Sequence, residues 1–136
     1  MATNPESIDT SIILRAILND APSQSQKARA LFSRDDTVFH VSDLAVTEAV
    51  FVLEKCLHFD RSTIAEMLSI FLSNPSINYN VPLFSNVFPF YAEHPQLSFN
   101  DCCLATYAAL NQAEPLWTFD RKLAAQSPTA KELKQS

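Results

Sequence analysis

The sequence predicts an α/β fold with a mostly parallel sheet. Short apolar or β-rich runs alternate with longer stretches of helical periodicity. Capping residues stand at the junctions between the two kinds of segment. No linker, repeat or low-complexity block divides the 136 residues, so a single domain over 1–136 is expected, with a polar tail that frays from about residue 127.

Each element has its own signal. A short extended piece runs to Asp9, and Ile12, Ile13, Leu14, Ile17 and Leu18 then form a helical stripe that Asn19-Asp-Ala-Pro22 closes. A second helix is expected over Ser25–Ser33. Thr37–Val41 is β-rich. Ser42 is placed to cap a helix that presents Val46, Ala49, Val50, Leu53 and Leu57 on one side. Thr63 and Glu66 have capping-box spacing ahead of the stripe Ile64, Met67, Leu68, Phe71 and Leu72.

Asn74-Pro-Ser76 stops that helix, and Ile77, Tyr79 and Val81 alternate as a strand does. Pro82 suits a helix start, and Pro89 is expected to kink or end that helix. Ser98 and Asp101 again have capping-box spacing. Pro115–Phe119 reads as a buried strand, with Asp120 capping a short helix through Ala125.

Composition narrows the function. The net charge of −5 argues against a surface that coats nucleic acid. It is no veto on a nuclease, because two divalent cations on four acids would bring the charge to roughly −1. No glycine occurs, which excludes glycine-built phosphate loops and leaves turns to the eight prolines and to Asn, Asp and Ser. Three cysteines, two of them adjacent, form no disulfide framework and no zinc spacing, so reduced thiols and a cytoplasmic location are expected. No apolar run is long enough for a membrane span, and the polar start is unlike a secretory signal.

Asp9, Glu48, Asp101 and Asp120 each fall at the end of a predicted strand or in the first turns of a predicted helix. Ligands of parallel sheets bind beyond the carboxyl ends of the strands, and helix N-termini point to the same edge, so these four acids are candidates to converge. Carboxylates without His or Cys partners describe a site for Mg²⁺ or Mn²⁺. Each acid also has a plain explanation. Asp9 or Thr10 can be the N-cap of the first helix, Asp101 can complete a capping box with Ser98, Asp120 can cap the last helix, and Glu48 can be a solvated helical residue.

Four segments add a resemblance. Ile8-Asp-Thr-Ser-Ile-Ile-Leu-Arg15 resembles the opening motif of PIN domains, where an aspartate ends the first strand. Thr47–Glu54 is similar to the family's glutamate-bearing helix, with Glu48 as the matching acid. Phe99–Ala105 is similar to the segment of the third acid, at Asp101. Leu116–Leu123 resembles the last strand and turn, with Thr118 and Asp120 in the matching places. The ordered set covers nearly the whole chain and is most like VapC-type toxin ribonucleases.

The resemblance implies a three-layer α/β/α domain with a central, mostly parallel sheet. It further implies a Mg²⁺- or Mn²⁺-dependent endoribonuclease, the toxin half of a toxin–antitoxin pair, with RNA as substrate, a small antitoxin as partner, and homodimerisation. Asp9 and Asp101 would be the principal ligands, Glu48 and Asp120 would complete the cluster, and Thr118 would orient Asp120 or a water. Arg15, Arg121 and Lys122 are candidate phosphate contacts. The chain departs from the family pattern in its polar first strand, Thr3-Asn-Pro-Glu-Ser, and in carrying Gln112-Ala-Glu where a glycine is usual.

Other side chains carry less. His40, His58 and His94 show no ligand spacing, and Cys56, Cys102 and Cys103 read as buried helix residues. Trp117 reads as core rather than a stacking platform. A PIN-like binding module without catalysis is the alternative function. A phosphatase using Asp9 fits poorly, because Thr10 and Ser11 stand where a D-x-D pattern is needed.

Overall fold

A computed structural model describes residues 4–135, and the α/β expectation holds. Every strand pair among them is parallel, and helices carry the chain between strands. The chain forms two compact units, one up to Asn80 and one from Val81 onward. No helix among the described residues is long and apolar enough to cross a membrane.

The first unit is built on a three-stranded sheet in the order β1 (Glu6–Ser7), β2 (Phe39–His40), β3 (Ile77–Asn78). The polar first strand pairs through its main chain, with Glu6 N–H donating to Val38 and Ile8 N–H to His40. Arg34 then grips it with a two-pronged bond to Glu6 at 3.2 and 3.1 Å. Backbone pairing and this fork hold a strand whose side chains offer little burial.

Helix α1 (Thr10–Ile17) buries Ile13 and Leu14 as its stripe requires. Helix α2 begins at Pro22, earlier than expected, because proline at the first helical position loses no hydrogen bond and is pre-set for helix. Helix α3 (Asp43–Phe51) is capped by Ser42, whose hydroxyl accepts from Ala45 N–H. Val46, Ala49, Val50 and Leu53 are buried as read, but Leu57 is 44% exposed. The cause is a π-helical turn, Val52–Cys56, which inserts an extra residue and rotates the stripe. It also leaves Cys56 on the surface, contrary to the expectation of a buried thiol.

Helix α4 (Arg61–Leu72) is capped three residues before the expected Thr63, by Asp60, which accepts from Thr63 N–H at 2.8 Å. Phe32 packs edge-on between Phe39 and Phe71 at 5.1 and 5.4 Å. The strand pattern at 77–81 is cut short, since Val81 begins the next helix.

In the second unit α5 (Val81–Glu93) runs through Pro89 without ending. Pro89 lies on the exposed side, where water can satisfy the carbonyl it leaves unpaired, while Phe84, Val87, Phe88 and Tyr91 are buried opposite. Helix α6 (Phe99–Leu110) packs against α5. Phe99 is the hub, with its ring 5.0–6.2 Å from those of Tyr91, Phe88 and Phe84. At its end Gln112 takes φ 54°, with its N–H on Ala109 and the Ala113 N–H on Ala108. This is the left-handed closure that favours glycine, at the place where the family's glycine is missing.

Strands β4 (Leu116–Thr118) and β5 (Ala130–Glu132) pair in parallel around α7 (Arg121–Gln126). Two expectations fail here. The tail does not fray from 127, because Ser127 is buried and Ala130–Glu132 pairs along β4 through main-chain bonds that polar residues make as well as apolar ones. The strand is not buried either: Trp117 is 54% and Phe119 64% exposed, so Trp117 is no core residue.

Candidate active site

Asp9 directly follows Ile8 at the carboxyl end of β1 and caps α1. Its Oδ1 accepts from Ser11 Oγ at 2.6 Å and from Ile12 N–H at 3.2 Å. The Ser11 hydroxyl first, then the Ile12 N–H, hold this carboxyl below its ordinary value, so it is firmly ionised at neutral pH. All these bonds use one oxygen.

Thr10, the next residue, is buried, and its Oγ1 lies 3.1 Å from Glu48 Oε2 and 3.2 Å from the Ala45 carbonyl. One hydroxyl proton serves these two acceptors, which ties α1 to α3 and gives the exposed Glu48 a fixed neighbour next to Asp9. Thr10 was missed as a site residue, and the available signal was a hydroxyl immediately after the strand-end acid.

In the second unit Asp101 is half-buried in the first turn of α6. Its N–H donates to Ser98 Oγ at 3.0 Å. Its carboxylate makes no reciprocal bond among the described residues, so capping does not consume it. Asp120 caps α7 with Oδ1, which accepts from Lys122 N–H at 2.8 Å and Leu123 N–H at 3.2 Å. Thr118 Oγ1 accepts from Asp120 N–H at 2.9 Å, so it fixes the backbone of that acid and keeps its own proton for another partner.

Glu48 is thus tied to Thr10, the residue after Asp9, in one unit, and Asp101 and Asp120 lie in the other. Among the described residues no three His, Cys, Asp or Glu side chains form a ready metal cluster. The donors themselves, carboxylate and hydroxyl oxygens, have the chemistry of a site for a hard cation. The candidate cations differ. Arg15 is held by Asp20 at 2.7 Å and Gln24 at 3.0 Å. Arg121 is 89% exposed, with Glu132 at 3.7 Å, and Lys122 is exposed beside it.

In parallel α/β domains ligands bind beyond the carboxyl ends of the strands, and Asp9 stands at such an end. The family model for the PIN domain matches residues 7–127, and the chain belongs to that family. PIN domains are in general nucleases that act on nucleic acid with divalent metals, although some are inactive. No curated protein matches the chain.

Proposed function

We propose that this chain is a metal-dependent endoribonuclease of the VapC type, the toxin of a toxin–antitoxin pair. It would work in the cytoplasm as a homodimer, silenced by a small antitoxin whose arginine could pair with the acids. The observation that carries the reading is the buried Thr10 hydroxyl spent on the Glu48 carboxylate. A merely solvated helical glutamate needs no such partner, whereas a ligand that must hold one position does.

In this reading Asp9, Asp101, Glu48 and Asp120 hold Mg²⁺ or Mn²⁺. The bound ion would activate water and neutralise charge on the phosphoryl oxygens. Ser11 and the Ile12 N–H keep Asp9 ionised, Thr10 holds Glu48, and Thr118 holds the main chain of Asp120. Arg121 and Lys122 contact RNA phosphates. Arg15, already paired, contributes least.

Purified chain is incubated with total RNA and Mg²⁺ or Mn²⁺, beside EDTA controls and an Asp101→Asn variant. Cleavage that needs metal and is lost in the variant is expected, together with a melting temperature raised by millimolar Mn²⁺ in the wild type. A folded Asp101→Asn that cleaves like the wild type overturns the site. The alternative, a binding module without catalysis, draws support from Asp9 and Asp120, whose capping gives them a folding role of their own. Metal binding without cleavage of any RNA would favour it.

A further inference from the structure

Trp117 and Phe119 are two residues apart on and just beyond β4, so they share one face of the β4–β5 ribbon. Both are more than half exposed, unlike the half-buried Leu116 and Thr118 between and before them. Among the described residues nothing packs this tryptophan and phenylalanine away, side by side as they are on the strand. Cations surround them. Lys131, the register partner of Trp117, lies with Nζ 5.4 Å from the Trp117 ring centre. Phe119 lines a cleft of about 400 Å³ with Arg121, Lys134, Leu133 and Glu132, the last 3.7 Å from Arg121.

Residues 115–136 hold four of the chain's ten Lys and Arg but two of its fifteen acids, so this end opposes the acidic bulk. We infer that this face is a base-stacking platform for single-stranded RNA, with Trp117 and Phe119 taking successive bases and Lys131, Arg121 and Lys134 taking the phosphates. Aromatic faces match unstacked bases of any sequence, and the cations match the backbone that connects them. A duplex hides its base faces, which makes the single strand the fitting occupant. An apolar protein surface would satisfy the rings and strand the cations. A strand lying on the platform reaches Asp120, the residue after Phe119.

Only the choice of RNA over other nucleic acid rests on the nuclease reading; the binding itself needs no catalysis. Trp117 is the sole tryptophan, so its fluorescence reports the site alone. The 136-residue chain is titrated in EDTA at low salt with a ten-nucleotide oligouridylate. Saturable quenching that salt weakens is expected. With labelled oligouridylate, Trp117→Ala and Phe119→Ala should each bind about 5- to 150-fold more weakly. Trp117→Phe should keep most of the affinity, and a duplex of equal length should bind less well.

Wild-type affinity in both alanine variants, with helical circular dichroism intact, overturns the platform and hands the face to a protein partner. So does the absence of quenching. The two readings separate cleanly through Asp101→Asn, which should retain oligouridylate binding while losing cleavage. If that variant cleaves normally the metal site falls and the platform stands. If Trp117→Ala binds normally while cleavage still requires metal, the platform alone falls.

Discussion

In the first unit Glu48 is met by a buried hydroxyl from another helix, Thr10, 38 residues away in sequence. In the second, Asp120 is held, among the described residues, by its own neighbours Thr118, Lys122 and Leu123. The first arrangement exists only when α1 and α3 are packed, so site geometry and folding are coupled there. The second is local and would survive considerable loosening around it. Cores differ in the same sense. Aliphatic side chains such as Ile64, Leu68 and Leu53 dominate the first unit, whereas rings clustered on Phe99 dominate the second.

The largest expected effect breaks the aromatic cluster. Phe84 is fully buried, so Phe84→Ala should cost about 3–5 kcal/mol. If the 136 residues fold as one cooperative domain, denaturant titration followed by Trp117 fluorescence and by far-ultraviolet circular dichroism gives one midpoint for both. A fluorescence midpoint that falls while much of the helical signal stays would mean that the two units unfold separately.

Next comes the contrast between the two threonines. Thr10→Val keeps shape and removes both hydroxyl contacts, with an expected cost of about 1 kcal/mol and a cleavage rate about tenfold lower as Glu48 loses its anchor. Thr118→Val removes one exposed acceptor and should stay within about 0.5 kcal/mol of wild type. Equal losses of stability in the two variants would erase the distinction between a packed and a local site. Urea titrations of both, beside a single-turnover assay on Thr10→Val, settle it.

How much of this was legible depended on the range of the interaction. Local signals read well: Ser42, Ser98 and Asp120 cap the helices that they were expected to cap. The acids themselves were visible as residue types at strand and helix ends. What escaped needed a second segment. Nothing near Thr10 in sequence announces Ala45 or Glu48 as its partners. Leu57 left its stripe because of a π turn that no periodicity encodes. Trp117 reads as core because an apolar strand is usually covered on both faces, and what covers a strand is a tertiary fact. The pairing of the polar tail with β4 escaped for the same reason.

A smaller effect compares two turns. Gln112 in the second unit and His58 in the first both adopt positive φ, 54° and 61°, in a chain without glycine. Gln112→Gly should relieve the strain of a left-handed residue and lose part of the gain to a freer unfolded chain. The net is a stabilisation of about 0.5–1 kcal/mol, read by urea denaturation. His58→Gly should behave alike. A destabilised Gln112→Gly would mean that the side chain itself contributes to the turn.

The smallest effect separates two caps by charge. Asp60 caps α4 with a carboxylate, and Ser98 caps α6 with a neutral hydroxyl. The Thr63 backbone N–H, then its side chain, lower the Asp60 carboxyl below its ordinary value of 3.8. A lowered folded value means that the unfolded state takes up the proton first as pH falls. The stabilisation from Asp60 is therefore whole above about pH 4 and is lost as pH drops through the lower folded value. The melting-temperature gap between wild type and Asp60→Asn should be constant from pH 7 to 5 and shrink toward pH 3. The gap for Ser98→Ala should stay level across the same range, because its cap carries no titrating group. If both gaps shrink together, the acid sensitivity belongs to the fold as a whole, and the charge on the Asp60 cap is not its source.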